Sequence, residues 1–248
     1  MRIGILGVGH IGKTLALKLA ETGHDVMVAN SRGPETIGQE VLSTGAQAVT
    51  VKQALTDQEV IIISVPLHVI PDIAPLFAAL PEATVVIDTS NYYPARDTRI
   101  ETIENGQVES IWVKEQLGRN IAKAWNAIGS HSLAEKGKPS GISNRIAIPV
   151  AADRESDREV AVKLVNETGF DAFYTGKLED SWKQQPGAPI YCTDLTAKEI
   201  QSVIDTAERA RLPKRRDLAV AAIMERMGDP KTNPDSDYGV RLSRILYM

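Results

Sequence analysis

The chain has 248 residues, 43% hydrophobic and 24% charged, with a formal net charge of −4. That is enough apolar material for one large core and too little positive charge for a broad nucleic-acid surface. The one cysteine, Cys192, excludes an intrachain disulfide and suits a reducing, cytoplasmic setting, and no apolar run approaches the roughly 18 residues of a membrane span.

Residues 1–6 read as a short apolar strand, starting so early that no signal peptide is expected. Gly7, Val8, Gly9, His10, Ile11 and Gly12 then spell G-x-G-x-x-G. A helix period runs over 11–20, with Ile11, Leu15 and Leu19 on one stripe, and Gly23 stands where a C-terminal cap belongs. A second strand over 25–29 ends at Asn30, Ser31 and Arg32. Strand, glycine loop, helix, strand and polar end, in that order, form the dinucleotide-binding fingerprint in its proper context. Gly7 allows the turn out of the strand, Gly9 lets a pyrophosphate approach the backbone, and Gly12 lets helix and strand pack closely. The helix start offers N–H groups and a favourable dipole to phosphate, with His10 and Ile11 beside it. An acid at the end of the second strand would select NAD by holding the ribose 2′-hydroxyl. Asn30 stands there instead, followed by a hydroxyl (Ser31) and a guanidinium fork (Arg32), which suit a 2′-phosphate. The expected cofactor is therefore NADP.

Further along, a helix is predicted over 34–44, a third strand over 46–51 and a short helix over 52–56. Residues 59–65 are β-branched and read as a buried parallel strand. A helix over 71–80 must start late or kink at Pro75. A fifth strand over 84–88 leads into the polar, aromatic loop Thr89, Ser90, Asn91, Tyr92, Tyr93, Pro94. A helix over 108–117, strands over 120–127 and 145–151, an amphipathic helix over 153–168 and a strand over 170–174 follow. After Gly176 the pattern changes to a loop over 182–189, helices over 196–211 and 214–227, and a polar turn region over 229–237. The alternation predicts an α/β, doubly wound parallel sheet of Rossmann type with a C-terminal helical extension. The expected division is a nucleotide-binding core over 1–177 and a helical cap or dimerisation arm over 178–248. Trp182 and Tyr191, read as exposed aromatics, point to a homodimer.

The four histidines, His10, His24, His68 and His131, show no metal-ligand spacing, and one cysteine cannot complete a thiolate site. No metal is expected. Cys192 reads as a packing residue rather than a nucleophile, and no G-x-S-x-G nucleophile elbow occurs. Hydride transfer between two bound rings needs alignment and water exclusion more than acid–base groups, so no catalytic residue is assigned. A carbonyl or imine reductase would need a proton donor, for which Lys123, His68 and His131 are the candidates. The run Lys136, Gly137, Lys138, Pro139 reads as a solvated loop or a basic lid over an anionic cosubstrate.

Over residues 1–180 the chain resembles the deazaflavin-dependent NADP oxidoreductase family. The marks are Gly7-x-Gly9-x-x-Gly12, Asn30-Ser31-Arg32, Ser64-Val65-Pro66, Lys123-Ala124-Trp125-Asn126, and Gly169-Phe170-Asp171-Ala172 with Gly176-x-Leu178. The resemblance implies hydride transfer between NADP(H) and a deazaflavin or flavin, a small-molecule cosubstrate. It also implies that residues 64–68 (Ser64, Val65, Pro66 and His68) and 126–128 (Asn126 and Ile128) flank the nicotinamide, while residues 88–91 resemble the substrate loop of β-hydroxyacid dehydrogenases, which makes Asn91 a substrate-binding candidate beside Asn126 and Ile128. The chain departs from the pattern in its long tail and in Asn126, where some relatives have histidine. Reduction of a small carbonyl or imine, or NADP(H) sensing without turnover, therefore stay open beside it.

Overall fold

The computed structural model describes residues 1–228, 232 and 234–248. In chain order the elements are β1 (Arg2–Leu6), α1 (His10–Glu21), β2 (Asp25–Ala29), α2 (Gln39–Leu42), β3 (Gln47–Ala48), α3 (Val51–Leu55), β4 (Val60–Ile63), α4 (Ile70–Ile73) and β5 (Val85–Asp88). Then come α5 (Pro94–Asp97), α6 (Glu101–Glu104), α7 (Glu109–Leu117), β6 (Ala122–Lys123), α8 (Ser130–Glu135), β7 (Ala147–Ala152), α9 (Glu155–Glu167) and β8 (Asp171–Gly176). The extension carries α10 (Ala197–Val203), α11 (Leu212–Met227) and α12 (Ser236–Tyr247).

All eight strands form one sheet in the order β3-β2-β1-β4-β5-β6-β7-β8. The first six run parallel. The expectation of an all-parallel sheet fails at one place: β7 pairs antiparallel with β6, and β8 runs parallel to β7. The segment 124–146 does not cross back to the other end of the sheet, so the chain re-enters in the opposite direction.

Strand periodicity sorts the core into two layers. Val60 and Ile62 of β4 point, with Ile3, Ile5, Val26 and Val28, to the face covered by Leu15 and Leu19 of α1 and Leu164 and Val165 of α9. Ile61 and Ile63 point to the other face, against Leu55, Ile70, Val113 and Leu117. Burial of both faces is why these strands read as continuous apolar runs.

Several expected elements are shorter. The helix over 34–44 is a 3-10 turn at Pro34–Thr36 and then α2, with Gly38 as the N-cap between them. The helix over 71–80 becomes α4 and a 3-10 turn at Ala74–Phe77, broken at Pro75. The strand over 120–127 shrinks to β6 because Trp125 takes a φ of 56° and turns the chain. The helix over 196–211 ends at Val203 and continues as 3-10 turns. Of the polar region expected over 229–237, residues 229–231 and 233 lie outside the described residues. Its far end opens α12, where the Asp235 side chain caps the helix by accepting from the Tyr238 N–H at 2.8 Å.

The extension is sewn onto the core. Ile146 and Thr196 form an antiparallel bridge, and Ala127, Ala188, Tyr191, Leu212, Ala219 and Tyr247 make a small apolar core. Tyr191, read above as exposed, is 7% exposed, and Trp182 is half-buried against this core. Among the described residues, no helix is long and apolar enough to cross a membrane.

Candidate active site

The glycine loop divides into two structural positions and one that is not. Gly7 leaves β1 at a φ of 102°, and a Cβ there would lie 2.2 Å from the Ser64 carbonyl oxygen. A Cβ on Gly12 would lie 2.0 Å from the Gly7 carbonyl oxygen. Both glycines are required by the fold itself. Gly9 is different: a Cβ there would meet nothing within 4 Å, and its backbone (φ −68°, ψ −174°) suits any residue. Gly9 is the N-cap of α1, and no side chain caps that helix. The first N–H groups of α1 therefore open onto clear space at the carboxyl ends of β1 and β4, with exposed His10 and half-buried Ile11 on the rim.

Asn30 organises the end of β2. Its Oδ1 accepts from the Arg32 N–H and its Nδ2 donates to Thr36 Oγ1, both at 2.9 Å. This leaves Ser31 and Arg32 exposed, and among the described residues no side chain pairs with the Arg32 guanidinium. A neutral turn, an exposed hydroxyl and an unpaired guanidinium thus stand together at the end of β2.

After β4, the Ser64 N–H donates to Leu6 O at 2.8 Å, and the half-buried Val65 and exposed Pro66 lead to His68. The His68 Nδ1 meets Asp97 Oδ1 at 2.9 Å. Asp97 is fully buried and also accepts from Arg96 Nε at 3.0 Å, Arg96 Nη2 at 2.7 Å and the Tyr93 N–H at 2.9 Å. Burial alone would raise its carboxyl, but bonds from Arg96, His68 and Tyr93 outweigh burial and hold it below the usual range.

Asn91 and Asn126, expected to face the second substrate, face each other. Asn91 Nδ2 donates to Asn126 O at 2.8 Å, and Asn126 Nδ2 donates to Asn91 Oδ1 at 3.1 Å and to Gln184 O at 2.9 Å. Gln184 Nε2 donates back to Asn126 Oδ1 at 2.9 Å. Asn126 is buried, and Ile128 belongs to the main core. Both shape the loop after β6 from beneath. Lys123 is excluded as a proton donor to substrate: it is wholly enclosed, donating to Asp88 Oδ2 at 2.6 Å and Ser90 O at 2.5 Å. The basic run over 136–139 is no free lid, since Lys136 pairs with Asp194 at 3.1 Å and Lys138 donates to Asn144 O at 3.1 Å.

A cavity of about 580 Å³ opens beside these loops, a volume typical of small-molecule sites. Tyr93, Arg96, Gly129 and His131 from the carboxyl ends of β5 and β6 form one wall. Tyr191, Cys192, Ala219, Ile223, Val240 and Tyr247 from the extension form the other. His131 sits exposed on its rim. Burial pushes the Cys192 thiol up to about 12, which makes it a packing group and not a nucleophile. Among the described residues, no cluster of three or more His, Cys, Asp or Glu could hold a metal. The aromatic and arginine walls were not legible as a site. They come from segments about a hundred residues apart, and only the Tyr92-Tyr93 doublet after the fifth strand gave a local signal.

The fold and the open α1 terminus define an α/β protein with the architecture of dinucleotide-binding domains. Residues 2–92 match the family described as NADP oxidoreductase, coenzyme F420-dependent, and the chain belongs to that family. It is an NAD(P)-dependent oxidoreductase. It is 36% identical over 101 residues to the protein YjhV of Escherichia coli (strain K12), an alignment covering 39% of this chain and 70% of YjhV. The hypothetical protein SMa0349 of Sinorhizobium meliloti is 27% identical with a TM-score of 0.68, covering 79% of this chain and 95% of that one. A protein of Arthrobacter sp. FB24, named as a candidate F420-dependent NADP reductase, superposes with a TM-score of 0.58 at 16% identity, covering 95% of this chain and 98% of that one. The last likeness is one of fold.

Proposed function

We propose that the protein passes a hydride between NADP(H), held on residues 7–12 and 30–32, and a flavin-like or deazaflavin-like acceptor held in the cavity. The observation that carries this reading is the cavity itself, a partly aromatic chamber at the carboxyl ends of β5 and β6, where α/β sheets bind ligands. Gly9 supports the dinucleotide side, because a residue kept small with empty space around it suits a ligand that comes close to the backbone. When bound, the nicotinamide supplies the hydride. The protein's part is to orient two rings and keep water out. The α1 N–H groups would take the pyrophosphate, Arg32 and Ser31 the 2′-phosphate, and Val65 and Pro66 the nicotinamide side. The test is NADPH oxidation followed by absorbance with an 8-hydroxy-5-deazaflavin, FMN and a carbonyl panel in parallel. Turnover with the tricyclic acceptors supports the proposal, and turnover with carbonyls alone replaces it.

That second reading, reduction of a small carbonyl or imine, has one observation in its favour. Asp97 fixes His68 through Nδ1 and leaves Nε2 to move a proton. His68→Ala separates the two readings, because loss of activity on a carbonyl with retained flavin reduction would mark His68 as a carbonyl-specific acid. We further propose a homodimer in a reducing cytoplasm. Leu218, Met224, Ile245 and Met248, exposed on and just beyond the last two helices, support the association, which light scattering in solution tests.

A further inference from the structure

We infer that Tyr93 and Tyr191 form a shared hydroxyl donor for the molecule in the cavity. We infer also that this molecule carries a carbonyl-type or imine-type heteroatom conjugated to the atom that gains the hydride. The inference rests on the reading of the cavity as the acceptor site.

The two side chains come from opposite walls, 98 residues apart in sequence, and their hydroxyl oxygens lie 2.6 Å apart. Each phenol owns one O–H. The bond between them uses one of the two protons, whichever ring donates. Among the described residues neither hydroxyl has another oxygen or nitrogen partner, and the Cys192 thiol beside Tyr191 is a weak acceptor. One O–H therefore lacks a strong acceptor within the protein, and both rings line the cavity. The apolar wall of Ala219, Val220 and Ile223 offers that proton nothing, and a desolvated hydroxyl without a partner is costly. A ligand heteroatom would complete it. The geometry is also held in place. Tyr191 packs on Tyr247 at 6.4 Å between centroids and an interplanar angle of 58°, while the Arg96 guanidinium lies 5.3 Å from the Tyr93 ring centre. Burial raises all three phenols above their ordinary range, so they stay neutral donors at working pH. A hydroxyl that accepts one hydrogen bond while donating another is polarised as a donor.

The electron count assigns the donor its task. Hydride gain forms a bond to hydrogen at the acceptor atom (carbon in a deazaflavin or carbonyl, nitrogen in a flavin) and breaks the π bond there, and the displaced pair moves through the conjugated system onto X. Negative charge builds on X, where the spare phenolic proton is offered. If that proton transfers, water at the cavity mouth restores it through the pair, so the net change is uptake of one hydride and one proton.

The experiment compares wild type, Tyr93→Phe, Tyr191→Phe and the double variant. Each is measured for NADPH oxidation and for fluorescence quenching of FMN, an 8-hydroxy-5-deazaflavin and menadione. Ala219→Trp and the milder Ile223→Trp fill the cavity as controls, with circular dichroism checking the fold. The expected result is a fall in kcat of about 10- to 100-fold in each single variant. The double variant should be little worse than either, because the pair acts as a unit, and NADPH binding should be unchanged. Filled variants should lose both turnover and probe quenching. If filling blocks the probes while both phenylalanine variants keep wild-type kcat and probe affinity, the donor role is overturned alone. If filling changes nothing, or the wild type accepts none of the probes, the cavity reading falls and takes the donor with it.

Discussion

His68 and Asp97 meet at 2.9 Å, the imidazole half-exposed and the carboxylate fully buried. Because Asp97 also clamps Arg96, this one carboxylate ties the loop after β4, on the dinucleotide side, to the wall of the cavity. Asp97→Asn keeps the shape but removes the charge and one acceptor. We expect a loss of about 1–3 kcal/mol, kept below the range for a sealed ion pair because Arg96 and His68 are partly exposed. The carboxyl is held below its ordinary 3.8, so its contribution is present above that pH and is lost as pH falls through the lower folded value. Urea unfolding across pH 3–7 (a range of about four units) should show a steeper acid-side slope in the wild type than in the variant, which keeps its other lowered carboxylates, Glu59 and Asp153 among them.

The glycines of the loop should separate cleanly under substitution. Gly12→Ala forces a Cβ to within 2.0 Å of backbone oxygen, so both stability and NADPH binding should suffer. Gly9→Ala meets nothing within 4 Å and should leave stability within about 0.5 kcal/mol while weakening NADPH. Thermal melts beside fluorescence titration measure both effects. An alanine at position 9 that left NADPH affinity untouched would show that no phosphate passes there.

Arg32 has no competing partner among the described residues, so its removal should act on the ligand and not on the fold. Arg32→Ala should weaken NADPH by about 1.5–3 kcal/mol, the range for a charged hydrogen bond, and leave NADH nearly unchanged. Parallel titrations decide, and equal losses would move the 2′-phosphate elsewhere.

Glu109 gives a pH dependence of the opposite sign to Asp97. Burial is the main cause that lifts its carboxyl from 4.5 to about 7, against the pull of Lys123 and the Tyr92 N–H. The folded state therefore holds this proton more tightly than the unfolded chain, and stability falls as pH rises between about 4.5 and 7. Glu109→Gln removes the titrating group but turns an amide NH2 toward one of the two donors its oxygens accept from, the Tyr92 N–H and Gln185 Nε2. It should lower the Tm at acid pH and flatten the slope of Tm against pH above it.

What could be read in advance was whatever depends on neighbours in sequence. Gly12 answers to the Gly7 carbonyl inside one strand–loop–helix unit, Gly7 makes the turn out of β1 although its close neighbour is Ser64 after β4, and β2 ends where Asn30 begins its turn, so these positions were visible as spacing. The break at Pro75 was legible from the proline itself, whereas Gly38 and Trp125 each interrupt a run with a backbone demand that periodicity does not register. α12 was missed although Asp235 caps it and Leu242 and Leu246 repeat at helical spacing, because the polar stretch before it was read through to residue 237. Lys123 reads as a candidate proton donor until Asp88 arrives beside it from another strand. The two tyrosines that meet across the cavity share no local pattern at all.

The reversal between β6 and β7 has an evolutionary consequence. The matched stretch 2–92 holds the glycine loop, the β2 turn and Asn91, whereas Tyr191, Ala219 and Tyr247 arrive only after the chain has doubled back. On the proposed reading, kinship through the first ninety-odd residues reaches the coenzyme loop and stops short of the cavity, every wall residue of which lies beyond it.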